Sequence, residues 1–99
     1  MDSLYLGDRT AAESIEMLQR YGITHIVNVT ENVLCQHPTQ IDYLQLKVGD
    51  TERTNLKRHF PELFRFIDAA ILAGGKVLVH CYAGVSRSAT VVLAYIMKE

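Results

Sequence analysis

GGKVLVHCYAGVSRSATVVLAYIM runs from Gly74 to Met97. Val77-Leu78-Val79 is a short continuous apolar run, as expected of a central strand covered on both faces. Gly74-Gly75 ends whatever element precedes it. After the strand comes a glycine-containing loop, Tyr82 to Ser86, and then the apolar run Val91 to Met97. The position of that run after the loop favours a buried helix beginning near Arg87, although periodicity alone leaves a strand open.

Working outward, Phe60, Leu63, Phe64, Ile67 and Ile71 recur at helical spacing within a predicted helix from about Asn55 to Ala73. Pro61 is tolerated only in or near its first turn. From Tyr43 to Val48 the pattern alternates. Leu44, Leu46 and Val48 share one face, and Tyr43, Gln45 and Lys47 the other, which predicts a half-buried, peripheral strand. Gly49-Asp50-Thr51 breaks it. Ile23 to Val29 is rich in β-branched residues and reads as a strand, followed by a loop from Thr30 to Gln40. Thr10-Ala11-Ala12-Glu13 fits a helix capping box. Ala11, Ile15 and Leu18 then share a helical face, and Gly22 suits the C-cap. Ser3 to Leu6 forms a short first strand. The order strand, helix, strand, strand, helix, strand, loop, helix predicts an α/β layered fold with a partly parallel central sheet flanked by helices.

The 99 residues allow one domain, spanning 1–99, with a modest core. Hydrophobic content of 48% and charged content of 21% are ordinary for a soluble globular protein. A net charge of -1 and a pI near 6.4 provide no general attraction to nucleic acid or an anionic membrane. No apolar run approaches the roughly 20 residues that span a bilayer, and the amino terminus carries no secretory pattern. The two cysteines, Cys35 and Cys81, are too few for a disulfide framework. A reducing compartment, cytoplasmic or nuclear, is expected. His25, His37, His59 and His80 are scattered, with no metal-ligand spacing, so neither metal nor cofactor is expected.

In open α/β sheets ligands bind beyond the carboxyl ends of the strands. Cys81 directly follows the strand ending at His80 and so stands on that rim. Loop amides and a helix N-terminus make an anion site. Gly84 permits a backbone conformation that a side chain would hinder, and Arg87 can hold two oxygens of a phosphate through its planar fork. The same positive environment favours the thiolate of a cysteine, its reactive form. One loop therefore suits both phosphate binding and nucleophilic displacement at phosphorus. The bland alternative is a buried structural thiol beside an unrelated arginine.

His80-Cys81-Tyr82-Ala83-Gly84-Val85-Ser86-Arg87-Ser88 fits H-C-x-x-G-x-x-R-[ST], and so resembles the signature of cysteine-dependent protein phosphatases. The continuation through Ala94-Tyr95-Ile96-Met97 is similar to the dual-specificity branch. So are Leu4-Tyr5-Leu6-Gly7, Gly22-Ile23-Thr24-His25-Ile26-Val27-Asn28-Val29-Thr30, and Asp50 followed by Asn55-Leu56. The resemblance implies Cys81 as nucleophile, with substrate phosphate held by Tyr82, Ala83, Gly84, Val85, Ser86 and Arg87. It implies Asp50 as general acid, which its place after a strand also allows; a turn-forming aspartate is the alternative. Ser88 corresponds to a hydroxyl that stabilises the departing thiolate, and it equally suits a helix N-cap. His80 would tune Cys81, or serve as a hydrogen-bonded core histidine. Glu31 is the runner-up acid, while Asp68 is expected on a solvent-facing helix surface.

The implied activity is hydrolysis of phosphotyrosine and phosphoserine/phosphothreonine on phosphoproteins through a cysteinyl-phosphate intermediate. The uncharged Tyr82, Ala83, Val85 and Ser86 favour protein over phosphoinositide substrates. Alternatives are a phosphoprotein-binding pseudophosphatase module or an inactive fragment of a larger phosphatase. Relatives of this kind continue past the loop helix, so the chain is expected to be C-terminally truncated. Cys35 reads as a bystander rather than a resolving thiol. Arg53, Lys57, Arg58, His59 and Arg65 form a loose basic cluster. It is a solvated helix face or an attractor of acidic phosphopeptides.

Overall fold

The computed structural model describes residues 3–30, 33–46, 57–81 and 86–98, with backbone alone for Lys57 and for residues 86–88. Four strands form one sheet: β1 (Leu4–Leu6), β2 (His25–Asn28), β3 (Asp42–Gln45) and β4 (Val77–His80). Their spatial order is β1-β4-β2-β3, and every pairing is parallel. The partly parallel sheet expected from sequence is thus wholly parallel among the described residues. β4 lies inside, between β1 and β2, and all four of its residues are buried. That position accounts for its unbroken apolar run. β3 lies at the edge of the order, is only half-buried, and carries the alternating pattern.

Helices cover both faces. On one face pack α1 (Arg9–Glu13) and α2 (Ile15–Arg20), and on the other α3 (Phe60–Leu72) and α4 (Ser86–Met97). The α1–α2 face buries Ala12, Leu18, Ile23, Ile26, Ile41 and Leu78. The opposite cluster takes Val27, Val77 and Val79 from the strands, Val29 and Cys81 directly beyond them, and Leu63, Ile67, Val91 and Tyr95 from the helices. Alternation along each strand feeds the two clusters in turn. Each large aliphatic side chain so buried contributes about 1.5–3 kcal/mol.

Local chemistry shifts several boundaries. The first helix is capped not by Thr10 but by Asp8, whose carboxylate accepts from Ala11 N at 2.9 Å. Ser14 then interrupts it and caps α2 by accepting from Met17 N at 3.3 Å. An upstream aspartate and a second hydroxyl divide the capping that the Thr10–Glu13 pair was expected to supply. α3 starts at Phe60, after a 3-10 turn at Lys57–His59, rather than near Asn55. Pro61 has no N–H to give and so stands in the first turn. Asn55 itself lies outside the described residues.

Two helices end in the same left-handed glycine motif. Gly22 (φ 70°) donates to Gln19 O at 3.2 Å, and Ile23 donates to Leu18 O at 2.8 Å. Gly74 (φ 81°) donates to Ile71 O at 3.0 Å, and Gly75 donates to Ala70 O at 2.8 Å. Both endings turn the chain directly into a strand.

Candidate active site

The carboxyl ends of the strands place Cys81 where the sequence reading expects it. It follows β4 directly, is 4% exposed, and belongs to the α3–α4 cluster with Val29 and Val91. After residues 82–85 the chain enters α4 at Ser86. α4 packs against β4 and β1, with Val91 and Tyr95 buried in the core, and so holds its N-terminus near the rim. A helix N-terminus presents unpaired amides and partial positive charge. No acidic residue stands in the first turn to oppose it. The arrangement suits an anion held over the thiol.

Of the other predicted site residues, Tyr82, Ala83, Gly84, Val85 and Asp50 lie outside the described residues, as do Glu31 and Arg53. Ser86, Arg87 and Ser88 occupy the first turn of α4, with only their backbone described.

His80 ends β4 at 2% exposure. Its register partner is Asn28, so it faces the α1–α2 side, away from Cys81. Burial pushes its pKa below the ordinary 6.5, while the Cys81 backbone and the Glu13 and Asp8 carboxylates oppose that shift. Among the described residues its buried Nδ1 has no hydrogen-bond partner. A neutral imidazole follows from the dominance of burial.

Sequence reasoning missed a polar cluster on the same rim. Asn28 and Thr30 are wholly buried, and Thr30 Oγ1 donates to Asn28 Oδ1 at 2.5 Å. Asn28 Nδ2 donates to Val33 O at 2.9 Å, and Gln45 Nε2 donates to Thr30 O at 3.2 Å. The signal available was the polar residue ending each of β2, β3 and β4.

Cys35 is reached from this cluster by Asn28 Nδ2 at 3.7 Å. It therefore lies beside the Asn28 amide on the α1–α2 side, whereas Cys81 belongs to the α3–α4 cluster. Asp68 is 45% exposed, yet it accepts from Tyr95 Oη at 2.5 Å and pairs with Lys98 Nζ at 3.5 Å. It is thus a helix-to-helix brace rather than a purely solvent-facing carboxylate. His37 Nε2 donates to Glu13 O at 2.9 Å, and His25 approaches Asp42 at 3.6 Å at the amino ends of the strands. Among the described residues no group of three or more His, Cys, Asp or Glu side chains is placed to hold a metal ion. Arg58 and Arg65 are exposed around the start of α3.

Together these features make a parallel α/β domain with a cysteine directly after an inner strand and a helix N-terminus shortly beyond it. The model of the dual specificity phosphatase catalytic domain matches residues 4–99. Dual specificity protein phosphatase 22-A of Danio rerio is 48% identical over 99 residues, covering 98% of this chain and 46% of that protein. Dual specificity protein phosphatase 1 of Arabidopsis thaliana is 46% identical over 96 residues, covering 97% of this chain and 48% of its own length. The crystal structure of DUSP15 superposes with a TM-score of 0.86 at 41% identity, covering 98% of this chain and 62% of that one. This chain belongs to the dual specificity phosphatase catalytic domain family. It spans about half the length of these two curated relatives.

Proposed function

We propose that the chain hydrolyses phosphate monoesters on proteins, accepting phosphotyrosine and phosphoserine/phosphothreonine, through a cysteinyl-phosphate intermediate. The observation that carries this reading is Cys81 at the exit of β4, five residues before the first residue of a helix that opens with Ser86-Arg87-Ser88. Membership of the family supports it.

In the proposed first step the Cys81 thiolate attacks phosphorus. The S–P bond forms as the P–O bond to the leaving oxygen breaks, and the Asp50 carboxylic acid transfers its proton to that oxygen. Arg87 and the amides of residues 82–86 hold the remaining phosphate oxygens as charge redistributes. In the second step water attacks phosphorus, the Asp50 carboxylate takes its proton, and the S–P bond breaks to release inorganic phosphate. The Ser88 hydroxyl donates to the departing thiolate. His80, held neutral by burial, orients the strand end and tunes the thiol. No metal or organic cofactor enters either step. The partners are phosphoproteins, in the cytoplasm or nucleus. No helix among the described residues is long and apolar enough to cross a membrane.

The test is hydrolysis of a small aryl phosphate by the purified chain. Cys81→Ser should abolish turnover, and Asp50→Asn should lower kcat by about 10²–10⁴-fold. Turnover that survives Cys81→Ser overturns the mechanism. Phosphopeptide binding without any turnover indicates a binding module instead.

A further inference from the structure

Asn28, Gln45 and His80 end three neighbouring strands and are register partners, Asn28 with Gln45 on one side and with His80 on the other. Their side chains therefore form one row on the α1–α2 face. Below the row that face is apolar, with Ile26, Tyr43 and Leu78 in register. A buried amide is costly unless its donors and acceptors are used. Here they are used in a closed circuit. Val33 N donates to Thr30 Oγ1 at 3.2 Å, Thr30 Oγ1 donates to Asn28 Oδ1 at 2.5 Å, and Asn28 Nδ2 returns to Val33 O at 2.9 Å.

Gln45 joins β3 to this circuit, its Nε2 donating to Thr30 O at 3.2 Å and to Val33 O at 3.1 Å. Main-chain bonds extend the connection beyond the strand ends. Leu46 N donates to Asn28 O and Val29 N to His80 O, both at 2.9 Å. The exits of β2, β3 and β4 are thus fastened together one residue from Cys81. An apolar row would have continued the core but would have removed the side-chain bonds that Gln45 makes to the Thr30 and Val33 carbonyls.

We infer that Gln45, acting with Asn28, is a positioning residue: it fixes the exit of β3 relative to the exit of β4, from which the nucleophile leaves. The inference rests on the proposed reading in which Asp50, downstream of β3, protonates the leaving group. Such an acid acts only within hydrogen-bond reach, and a misplacement of about 1 Å can cost about 10²-fold.

Gln45→Met keeps the length of this half-buried side chain and removes both donors. The assay is kcat on a series of aryl phosphates of graded leaving-group basicity, with Asp50→Asn in parallel. Phenyl phosphate needs protonation of its leaving group. Gln45→Met should cost it about tenfold in kcat, and a strongly electron-withdrawing aryl phosphate only about twofold. KM and the rate of Cys81 alkylation by iodoacetamide should stay within about twofold of the parent. If Gln45→Met does not fold, Gln45→Leu, which also removes the donors without adding charge, gives the same reading.

A steeper leaving-group dependence in Gln45→Met and in Asp50→Asn supports the inference and the acid assignment together. Steepening in Asp50→Asn alone overturns the inference and leaves the assignment standing. Steepening in Gln45→Met alone supports positioning of an acid other than Asp50. No steepening in either overturns both.

Discussion

Tyr95→Phe should lower stability by about 1–1.5 kcal/mol while barely touching catalysis. Tyr95 is 3% exposed, and its hydroxyl donates to Asp68 Oδ1 at 2.5 Å, joining α4 to α3. A hydrogen bond to a charged acceptor contributes about 1.5–3 kcal/mol. Asp68 is 45% exposed, so water replaces the lost donor and no buried charge is stranded. That places the loss at or below the low end of the range. The phenyl ring keeps its edge-on packing against Phe64, at 5.9 Å between centroids, so no cavity opens. For a domain of this size such a loss lowers the thermal midpoint by about 4–10 °C. Asp68→Ala removes the same bond together with the pair to Lys98 at 3.5 Å, which adds a few tenths of a kcal/mol. Urea unfolding of both single variants and the double variant should give a coupling energy of about 1 kcal/mol. The brace lies about 13 Å along α4 from Ser86, so kcat on an aryl phosphate should change less than about twofold. Stability of Tyr95→Phe within about 0.3 kcal/mol of the parent, or independent addition of the two substitutions, would show that the hydroxyl does not brace the helices.

Two adjacent glycines should respond for different reasons. Gly74→Ala should cost about 1 kcal/mol in thermal unfolding, because its φ of 81° penalises any Cβ although nothing lies within 4 Å. Gly75→Ala should cost more, about 2–3 kcal/mol, because its Cβ would overlap Thr24 Oγ1 and press on the Ala70 carbonyl at 3.0 Å; the opposite ranking would show that the turn relaxes. His80 contributes a pH dependence of fixed sign. Its folded-state pKa is depressed by burial. Its contribution is therefore full above the ordinary value of 6.5 and is lost as pH falls from there through the folded-state pKa. Urea midpoints of the parent should decline over that window, and His80→Gln should show a flatter profile; equal declines would place the titrating group elsewhere.

Much of the architecture was legible because it is local. The apolar run Val77–Val79, the alternation around Leu44 and Leu46, and the helical spacing of Leu63, Phe64 and Ile67 each report a face within one element. The two glycine-terminated helices were legible for the same reason, since φ preference belongs to the residue. Boundaries moved where two local signals competed, as when Asp8 and Ser14 shared the capping expected of Thr10. The nucleophile candidate and the phosphate-loop sequence were legible as a short motif.

Local pattern alone thus carries most of the elements, the position of Cys81 beyond a strand and the start of a helix shortly after it. The tertiary structure alone decided that β4 lies between β1 and β2, and that Cys35 lies beside the Asn28 amide while Cys81 joins the α3–α4 cluster. It alone brought Asn28, Thr30, Val33 and Gln45 into one circuit and Asp68 under Tyr95. The physical reason is that periodicity records which way a side chain points within its own element. Which distant element it meets depends on strand order and register, and these emerge only when both faces of the sheet are buried together.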